Sequence, residues 1–281
     1  MYGKTESLYR ADIIEVCRRI YRNGWVAAND GNVSIKIDPD VVLCTPKGMS
    51  KGYLTTDQLI KIDMDGNKIE GKLEPSSEVK MHIDVYKNRE DVNSVVHAHP
   101  PYATGFAVAG LALDQCILPE VVFSIGSIPL TKYGTPSTFE IPDNVREYLK
   151  DHNVFLLENH GALSIGPDVY RAYYRMESLE LFAKISLIAR QLGNVNVIGE
   201  ENVRKMLDIR KQWGMDGHYP GCRIDGKFIK KDEASTASNN PDTGFNGSSN
   251  NSNSNGSITM KKEELVKLVT GIVNSIISKD N

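Results

Sequence analysis

The stretch Val95-Val96-His97-Ala98-His99-Pro100 is an apolar run that ends in two histidines two positions apart. Side chains alternate between the two faces of a strand, so a strand here predicts that His97 and His99 point to the same side. A third histidine, His160, ends the apolar run Phe155-Leu156-Leu157 and precedes a glycine. Three imidazoles leave one coordination position open, as a catalytic zinc requires. The sequence therefore predicts a metal site on His97, His99 and His160.

A carboxylate and two hydroxyls lie upstream, in Glu74-Pro75-Ser76-Ser77-Glu78. An apolar stripe at helical spacing follows and predicts a helix over about 78–88, with Ser76 or Ser77 as its N-cap. The start of a helix presents unpaired N–H groups and a positive dipole end, and both favour phosphate. Ser76 and Ser77 are therefore candidates for phosphate binding, and Glu78 would lie close to phosphate and metal.

Two earlier loops carry groups that suit an anion. Asn29-Asp30-Gly31-Asn32 is rich in turn residues, and Thr45-Pro46-Lys47-Gly48 follows a predicted hairpin. Glycines allow backbone N–H groups to converge, while Asn32 adds an amide and Lys47 a cation. Each loop alone is typical of an ordinary surface turn. The prediction that Asn32, Lys47 and Gly48 bind an anionic group therefore rests on their combination.

The bulk composition narrows the class of protein. The chain has 281 residues, of which 40% are hydrophobic and 25% charged, and this is typical of one large or two modest globular domains. A net charge of −3 gives no reason to expect nucleic acid, and no apolar run is long enough to span a bilayer. Cys17, Cys44, Cys116 and Cys222 are scattered, which indicates reduced thiols in a cytosolic interior.

Strand and helix patterns alternate along the chain. Residues 6–23 predict a helix, and residues 33–44 predict a hairpin. A second strand pair is predicted within 60–73, and further helices over about 168–192 and 200–213. Hairpins mixed with flanking helices predict an α/β layered domain.

Five short motifs occur in the order found in the class II aldolase/adducin family: Gly31-Asn32-Val33-Ser34, Pro46-Lys47-Gly48, Ser76-Ser77-Glu78, His97-Ala98-His99-Pro100 and Glu158-Asn159-His160-Gly161. Over residues 6–220 the chain most resembles the zinc-dependent sugar-phosphate aldolases of this family, of the L-fuculose-1-phosphate aldolase type. The resemblance implies a three-layer α/β/α sandwich on a largely antiparallel central sheet. It also implies one Zn²⁺ per subunit on the three histidines, Glu78 as the catalytic acid/base, and a homotetramer with active sites between subunits. The substrate phosphate would be held by the two loops of Asn32, Lys47 and Gly48.

The implied reaction is reversible cleavage of a ketose 1-phosphate to dihydroxyacetone phosphate and an aldehyde. L-fuculose 1-phosphate is the first candidate substrate and would give L-lactaldehyde; L-rhamnulose 1-phosphate is the second. Three alternatives stay open: a sugar-phosphate 4-epimerase of the L-ribulose-5-phosphate type, a methylthioribulose-phosphate dehydratase, and a non-catalytic scaffold of the adducin type. The adducin type usually lacks the zinc histidines that this chain retains.

One position departs from the family pattern. In the fuculose-phosphate aldolases a tyrosine from a neighbouring subunit protonates the aldehyde oxygen. Counted from Pro119, Phe123 takes that place here and has no proton to give. Tyr133 and Tyr219 are the alternative donors, and the sequence does not choose between them. Lys47 stands where the family often has a small hydroxyl residue, so it would add positive charge.

The composition changes abruptly near residue 233. Residues 234–257 are nearly all small or polar, which predicts a flexible linker after a catalytic domain over 1–233. Residues 258–281 regain apolar spacing and predict an amphipathic helix. This extension resembles the encapsulation peptides that carry enzymes into bacterial microcompartments, and it implies a bacterial cytoplasmic enzyme held in such a compartment through shell or cargo proteins. The alternative is a helix that packs on its own tetramer.

Overall fold

The structure, a computed structural model, describes residues 3–215 and 217–230. The predicted linker over 234–257 and the predicted helix over 258–281 lie outside the described residues.

The helices are α1 Glu6–Arg22, α2 Val79–Asn88, α3 Pro101–Val108, α4 Pro119–Ser124, α5 Glu140–Arg146, α6 Val169–Gln191 and α7 Glu200–Gln212. The strands are β1 Asn32–Asp38, β2 Val41–Cys44, β3 Ile60–Asp63, β4 Lys68–Glu70, β5 Ser94–Ala98, β6 Leu130–Thr131, β7 Val154–Leu157, β8 Gly161–Gly166, β9 Cys222–Ile224 and β10 Lys227–Ile229.

An eight-stranded mixed sheet lies at the centre of the fold, in the order β4-β3-β2-β1-β5-β8-β7-β6. Among the described residues, β6 and β7 pair in parallel, and every other neighbouring pair in this sheet is antiparallel. The largely antiparallel sheet agrees with the prediction. The histidine strand β5 lies between β1 and β8, and all five of its residues are buried.

Helices cover both faces of this sheet. Val96 and Ala98 of β5 belong to the core formed with α1, α3 and α6. Val95, on the opposite face of the same strand, belongs to a second core formed with α2 and α5. Burying each of the two valines contributes roughly 1.5–3 kcal/mol before ordering costs, so the two cores fix β5 from both sides. No helix among the described residues has the length and apolar character needed to cross a membrane.

A disulfide corrects one prediction from the sequence. Cys116 and Cys222 are bonded to each other, whereas Cys17 and Cys44 are free and buried. The prediction of four reduced thiols is therefore wrong. The partners lie 106 residues apart and meet because α4, α7 and the β9–β10 hairpin share a small third core. Spacing along the chain could not show this contact.

Candidate active site

The three predicted ligand histidines meet where two strands end. β5 pairs with β8, with Ala98 opposite Ala162, so the turn between β7 and β8 lies beside the end of β5. That turn carries His160. Position 161 must be glycine, because a Cβ there would lie 2.5 Å from Cδ2 of His99 and 2.7 Å from the carbonyl oxygen of Ala98. The close approach brings the ring of His99 against the turn.

The ring nitrogens of the three histidines converge. One ligand atom from each residue lies within 4.8 Å of the others, and the Nε2 atoms of His97 and His99 are 3.3 Å apart. Nδ1 of His97 donates to the carbonyl oxygen of Ala162 at 2.9 Å, so its Nε2 carries a lone pair. Nδ1 of His160 is buried and has no hydrogen-bond partner among the residues that the structure describes. The cluster thus presents acceptor nitrogens where a cation can bind.

These residues fit a zinc ion. Two nitrogens bound to one tetrahedral zinc at 2.0–2.1 Å lie about 3.3 Å apart, as the Nε2 atoms of His97 and His99 do. Burial lowers the pKa of His97 to about 3, and burial also lowers the pKa of His99. Both rings are therefore neutral near pH 7, and neutral imidazole is the form that binds metal.

Glu78 lies against this cluster. Its Oε1 is 3.2 Å from Nε2 of His160, and its Oε2 is 3.5 Å from Nε2 of His97. Burial alone would raise the pKa of Glu78, but the two imidazoles and a 2.7 Å hydrogen bond from the amide of Asn32 hold it well below its usual range. Glu78 is therefore an ionised carboxylate that faces the cluster of histidines.

Helix α2 begins one residue later than the sequence predicts. Glu78 itself occupies the N-cap position, without a side-chain cap, and the helix begins at Val79. Ser76 Oγ instead accepts from the backbone N–H of Glu78 and from the amide of Asn32, both at 3.3 Å. The prediction that Ser76 or Ser77 caps the helix is wrong, because the chain makes a turn over 77–78 before the helix starts.

The predicted phosphate residues come together at the same end of the sheet. The backbone N–H of Lys47 donates to the carbonyl oxygen of Glu74 at 2.8 Å, which holds this loop beside Ser76 and Ser77. Gly48 has a φ of +75° and open space around it, so its backbone is accessible. Lys47 is exposed and the two serines are half-buried. Asn32 is buried and donates hydrogen bonds to Ser76 and Glu78, so it links one of the predicted phosphate ligands to the predicted acid/base.

The two candidate proton donors lie at opposite ends of β7. The N–H of Tyr133 donates to Glu158 at 2.7 Å, beside the turn that carries His160, and its side chain is 52% exposed. The hydroxyl of Tyr219 donates to the carbonyl oxygen of Val122. Its neighbour His218 accepts from Asn153, which precedes β7, so Tyr219 lies far from the histidines of its own subunit.

Sequence reasoning missed several contacts around the site. Asp30 Oδ2 lies 3.6 Å from Nδ1 of His99. Where α4 meets α7, Phe123 stacks on Trp213 with ring centroids 5.3 Å apart. His82 is 1% exposed, and its Nδ1 lies 2.7 Å from Oγ of Ser34. Asp30 could have been selected as a candidate site residue from the sequence, because it directly precedes the Gly31-Asn32 motif.

Comparisons with known proteins identify the family. The family model for the Class II Aldolase and Adducin N-terminal domain matches residues 11–187. The chain is 35% identical over 181 residues to an L-fuculose phosphate aldolase of Methanococcus maripaludis, covering 64% of this chain and 97% of that protein. It is 31% identical over 191 residues to a 3-oxo-tetronate 4-phosphate decarboxylase of Escherichia coli (strain K12), covering 66% and 90%.

Solved structures give the same result. An L-fuculose 1-phosphate aldolase is similar with a TM-score of 0.67 and 26% identity, over 73% of this chain and 97% of that one. The mixed sheet with helices on both faces is therefore the class II aldolase fold. Taken together, these matches show that the chain belongs to the class II aldolase and adducin family, and within it to the enzymes, as a lyase.

Proposed function

We propose that the chain is a zinc-dependent aldolase that reversibly cleaves a ketose 1-phosphate to dihydroxyacetone phosphate and an aldehyde. L-fuculose 1-phosphate, which gives L-lactaldehyde, is the first candidate substrate, and L-rhamnulose 1-phosphate is the second. The observation that carries the proposal is the convergence of His97, His99 and His160, with the carboxylate of Glu78 against His97 and His160. Class II aldolases are typically zinc-dependent, and family members are often homotetramers that act on sugar phosphates.

Each residue has a role in this proposal. His97, His99 and His160 hold one Zn²⁺ per subunit, which when bound supplies a Lewis acid that stabilises negative charge on the substrate oxygens as the C3–C4 bond breaks. Glu78, ionised and aimed at the cluster, gives and takes the proton at C3. The phosphate is bound by the hydroxyls of the serine pair and by the loop at Gly48, with the charge of Lys47 nearby. These residues are Asn32, Lys47, Gly48, Ser76 and Ser77.

The aldehyde oxygen needs a separate proton donor. Phe123 cannot serve, because its ring has no exchangeable proton. Tyr133 is our candidate within one subunit, because its backbone is hydrogen-bonded to Glu158 in the turn of His160. Tyr219 would have to act from another subunit. Tyr133→Phe should lower the cleavage rate while leaving proton exchange at C3 of dihydroxyacetone phosphate intact, since that exchange involves no aldehyde.

Phe123 also supports a second candidate function, decarboxylation of a phosphorylated 3-oxo acid. Such an acid loses its carboxylate as CO₂, and the electron pair of the broken bond passes to the adjacent carbonyl, as in aldol cleavage. CO₂ leaves without any proton transfer at the leaving fragment, so no donor is needed at position 123. The similarity to 3-oxo-tetronate 4-phosphate decarboxylases at 30–31% identity agrees with this reading.

Product analysis separates these activities. The full-length, metal-loaded enzyme is incubated with fuculose, rhamnulose, ribulose and deoxyribulose phosphates and with 3-oxo-tetronate 4-phosphate. Release of dihydroxyacetone phosphate with an aldehyde supports the aldolase. Release of CO₂ from the oxo acid, without cleavage of any of the ketose phosphates, supports the decarboxylase. A rearranged sugar phosphate indicates an epimerase, loss of water indicates a dehydratase, and no product with any of them argues against both proposals.

Metal analysis tests the site independently of the substrate. We expect one zinc per subunit in the parent enzyme and a large loss of zinc in His160→Ala, because two histidines bind far more weakly than three. His152→Ala is the matched control, since His152 is also partly buried but lies beside Ser127 at the other end of β7. Full zinc occupancy in His160→Ala would contradict the assignment of three histidine ligands.

We further propose that residues 258–281 act as an encapsulation peptide. A polar linker precedes them in the sequence, and their apolar residues recur at helical spacing. Fusing 234–281 to a fluorescent protein should direct that protein into microcompartments in cells that make the shell, and Val269→Glu with Ile272→Glu should leave it diffuse. If truncation after 233 instead ends activity or dissociates the oligomer, the extension belongs to the structure of the enzyme and the targeting proposal fails.

A further inference from the structure

Lys51 is a lysine almost completely removed from solvent, with 1% of its surface exposed. Its ammonium Nζ donates to the carbonyl oxygen of Asn29 at 2.8 Å and to that of Met49 at 2.9 Å. Among the described residues no carboxylate forms an ion pair with it. Burial lowers the pKa of Lys51, while the thiol of Cys17 and the carboxylates of Asp30 and Glu78 act to raise it. A buried, unpaired cation is costly, so its position calls for an explanation.

The two carbonyl groups belong to the two loops that the proposed function assigns to phosphate. Asn29 lies in the turn before Gly31, and Met49 follows Gly48. Gly31 is tightly packed, because a Cβ there would lie 2.8 Å from the carbonyl oxygen of His97, whereas Gly48 has open space around it. Lys51 therefore ties a loop fixed on the histidine strand to a loop whose backbone is free to meet a ligand.

We propose that Lys51 is a positioning residue for the phosphate group of the substrate. It fixes the spacing of the 29–31 and 46–49 loops through its two hydrogen bonds, and it places a buried positive charge behind them. A phosphate dianion bound between these loops would balance that charge in surroundings of low dielectric constant, where the attraction is strong. The inference rests on the proposed function, because it assumes that the substrate carries a phosphate.

Lys51→Met tests this role, because methionine fills similar volume without charge or donor. We expect the Kd of inorganic phosphate and the KM of the phosphorylated substrate to rise about tenfold or more, because charge-assisted contacts are lost. kcat should change by less than about threefold, and zinc content should stay at one per subunit. Affinity for dihydroxyacetone, which lacks phosphate, should not change. Lys36→Met is the matched control: Lys36 is 8% exposed, over the ring of Tyr86, and should leave every value unaltered.

A measurement on the parent enzyme keeps the inference testable if Lys51→Met does not fold. Saturating inorganic phosphate should slow amide hydrogen exchange in 29–31 and 46–50 together, since one ammonium joins both loops. Protection of only one loop, or unchanged phosphate affinity in a folded Lys51→Met, overturns the inference while leaving the proposed function standing. Failure of the parent enzyme to bind inorganic phosphate at all counts against both the inference and the phosphate part of the proposed function.

Discussion

Glu78 is the residue on which the proposed chemistry depends most. Glu78→Gln keeps the size of the side chain and an oxygen that can accept from Asn32, but it removes the base. We expect proton exchange at C3 of dihydroxyacetone phosphate to fall on the order of 10²–10⁴-fold. Zinc content and affinity for inorganic phosphate should remain close to those of the parent. Deuterium incorporation from solvent measures the exchange, and an undiminished rate in the variant would assign the acid/base role to another group.

His82 makes the stability of the fold sensitive to acid. Burial lowers its pKa from the ordinary 6.5 to about 4, although Glu78 acts in the opposite direction. Between these two values the unfolded chain binds a proton that the folded chain excludes, so stability is present above pH 6.5 and is lost as the pH falls toward 4. This one residue should cost about 2 kcal/mol of unfolding free energy between pH 7 and pH 5.

Urea unfolding at the two pH values tests this prediction. His82→Asn has a short amide that can still contact Ser34 and does not titrate. The parent should lose about 2 kcal/mol more than the variant on going from pH 7 to pH 5. Other histidines, His97 among them, contribute equally to both proteins and cancel in the difference. Equal losses in both would show that His82 is not held neutral by burial.

At the scale of elements, α3 depends on a side chain from another helix. α3 begins directly after the histidine strand and has no side-chain cap of its own. Glu180 of α6 supplies one: its two carboxylate oxygens accept from the backbone N–H groups of Tyr102 at 3.0 Å and Ala103 at 2.8 Å. Because Glu180 is only 8% exposed, Glu180→Ala would leave one buried and one partly buried donor unpaired and should destabilise the fold by about 2–4 kcal/mol.

Glu180→Ala should also weaken the metal site. His99 lies two residues before the first residue of α3, so loosening the start of that helix should weaken zinc binding as well as stability. Glu180→Gln, which keeps one acceptor, should show smaller losses in both. Competition with a chelator measures zinc affinity. If the zinc affinity is unchanged in a destabilised Glu180→Ala, the contacts of His99 with the β7–β8 turn are sufficient to position it.

A helix can be predicted from the sequence when it is long enough for the spacing of its apolar residues to repeat. The stripes in α1 and α7 extend over several turns, and the predictions over 6–23 and 200–213 match Glu6–Arg22 and Glu200–Gln212 closely. α4 has six residues, too few for a helical period to be recognised, and it was missed. The histidines were predictable because His97 and His99 end one apolar run and His160 ends another. The contacts of Lys51 were not predictable, because they depend on loops that only the folded sheet brings together.

At the scale of the whole molecule, the Cys116–Cys222 disulfide joins the segment before α4 to the first residue of the β9–β10 hairpin. It closes a loop over 106 residues, and in the chain-entropy account a loop of this size contributes about 4–5 kcal/mol to stability. We therefore expect a reductant to lower the melting temperature by up to roughly 10 °C. Zinc content should not change, because the histidines lie on the central sheet and not in the third core.

The double variant Cys116→Ser with Cys222→Ser separates loss of this bond from other effects of the reductant. It should melt near the temperature of the reduced parent and should not respond to reductant, because the remaining cysteines, Cys17 and Cys44, are already free thiols. Thiol titration confirms how much of the parent is reduced. If the fully reduced parent melts at the same temperature as the oxidised one, the small core shared by α4, α7 and the hairpin holds these segments without the covalent bond. The contribution of the disulfide to stability would then be negligible.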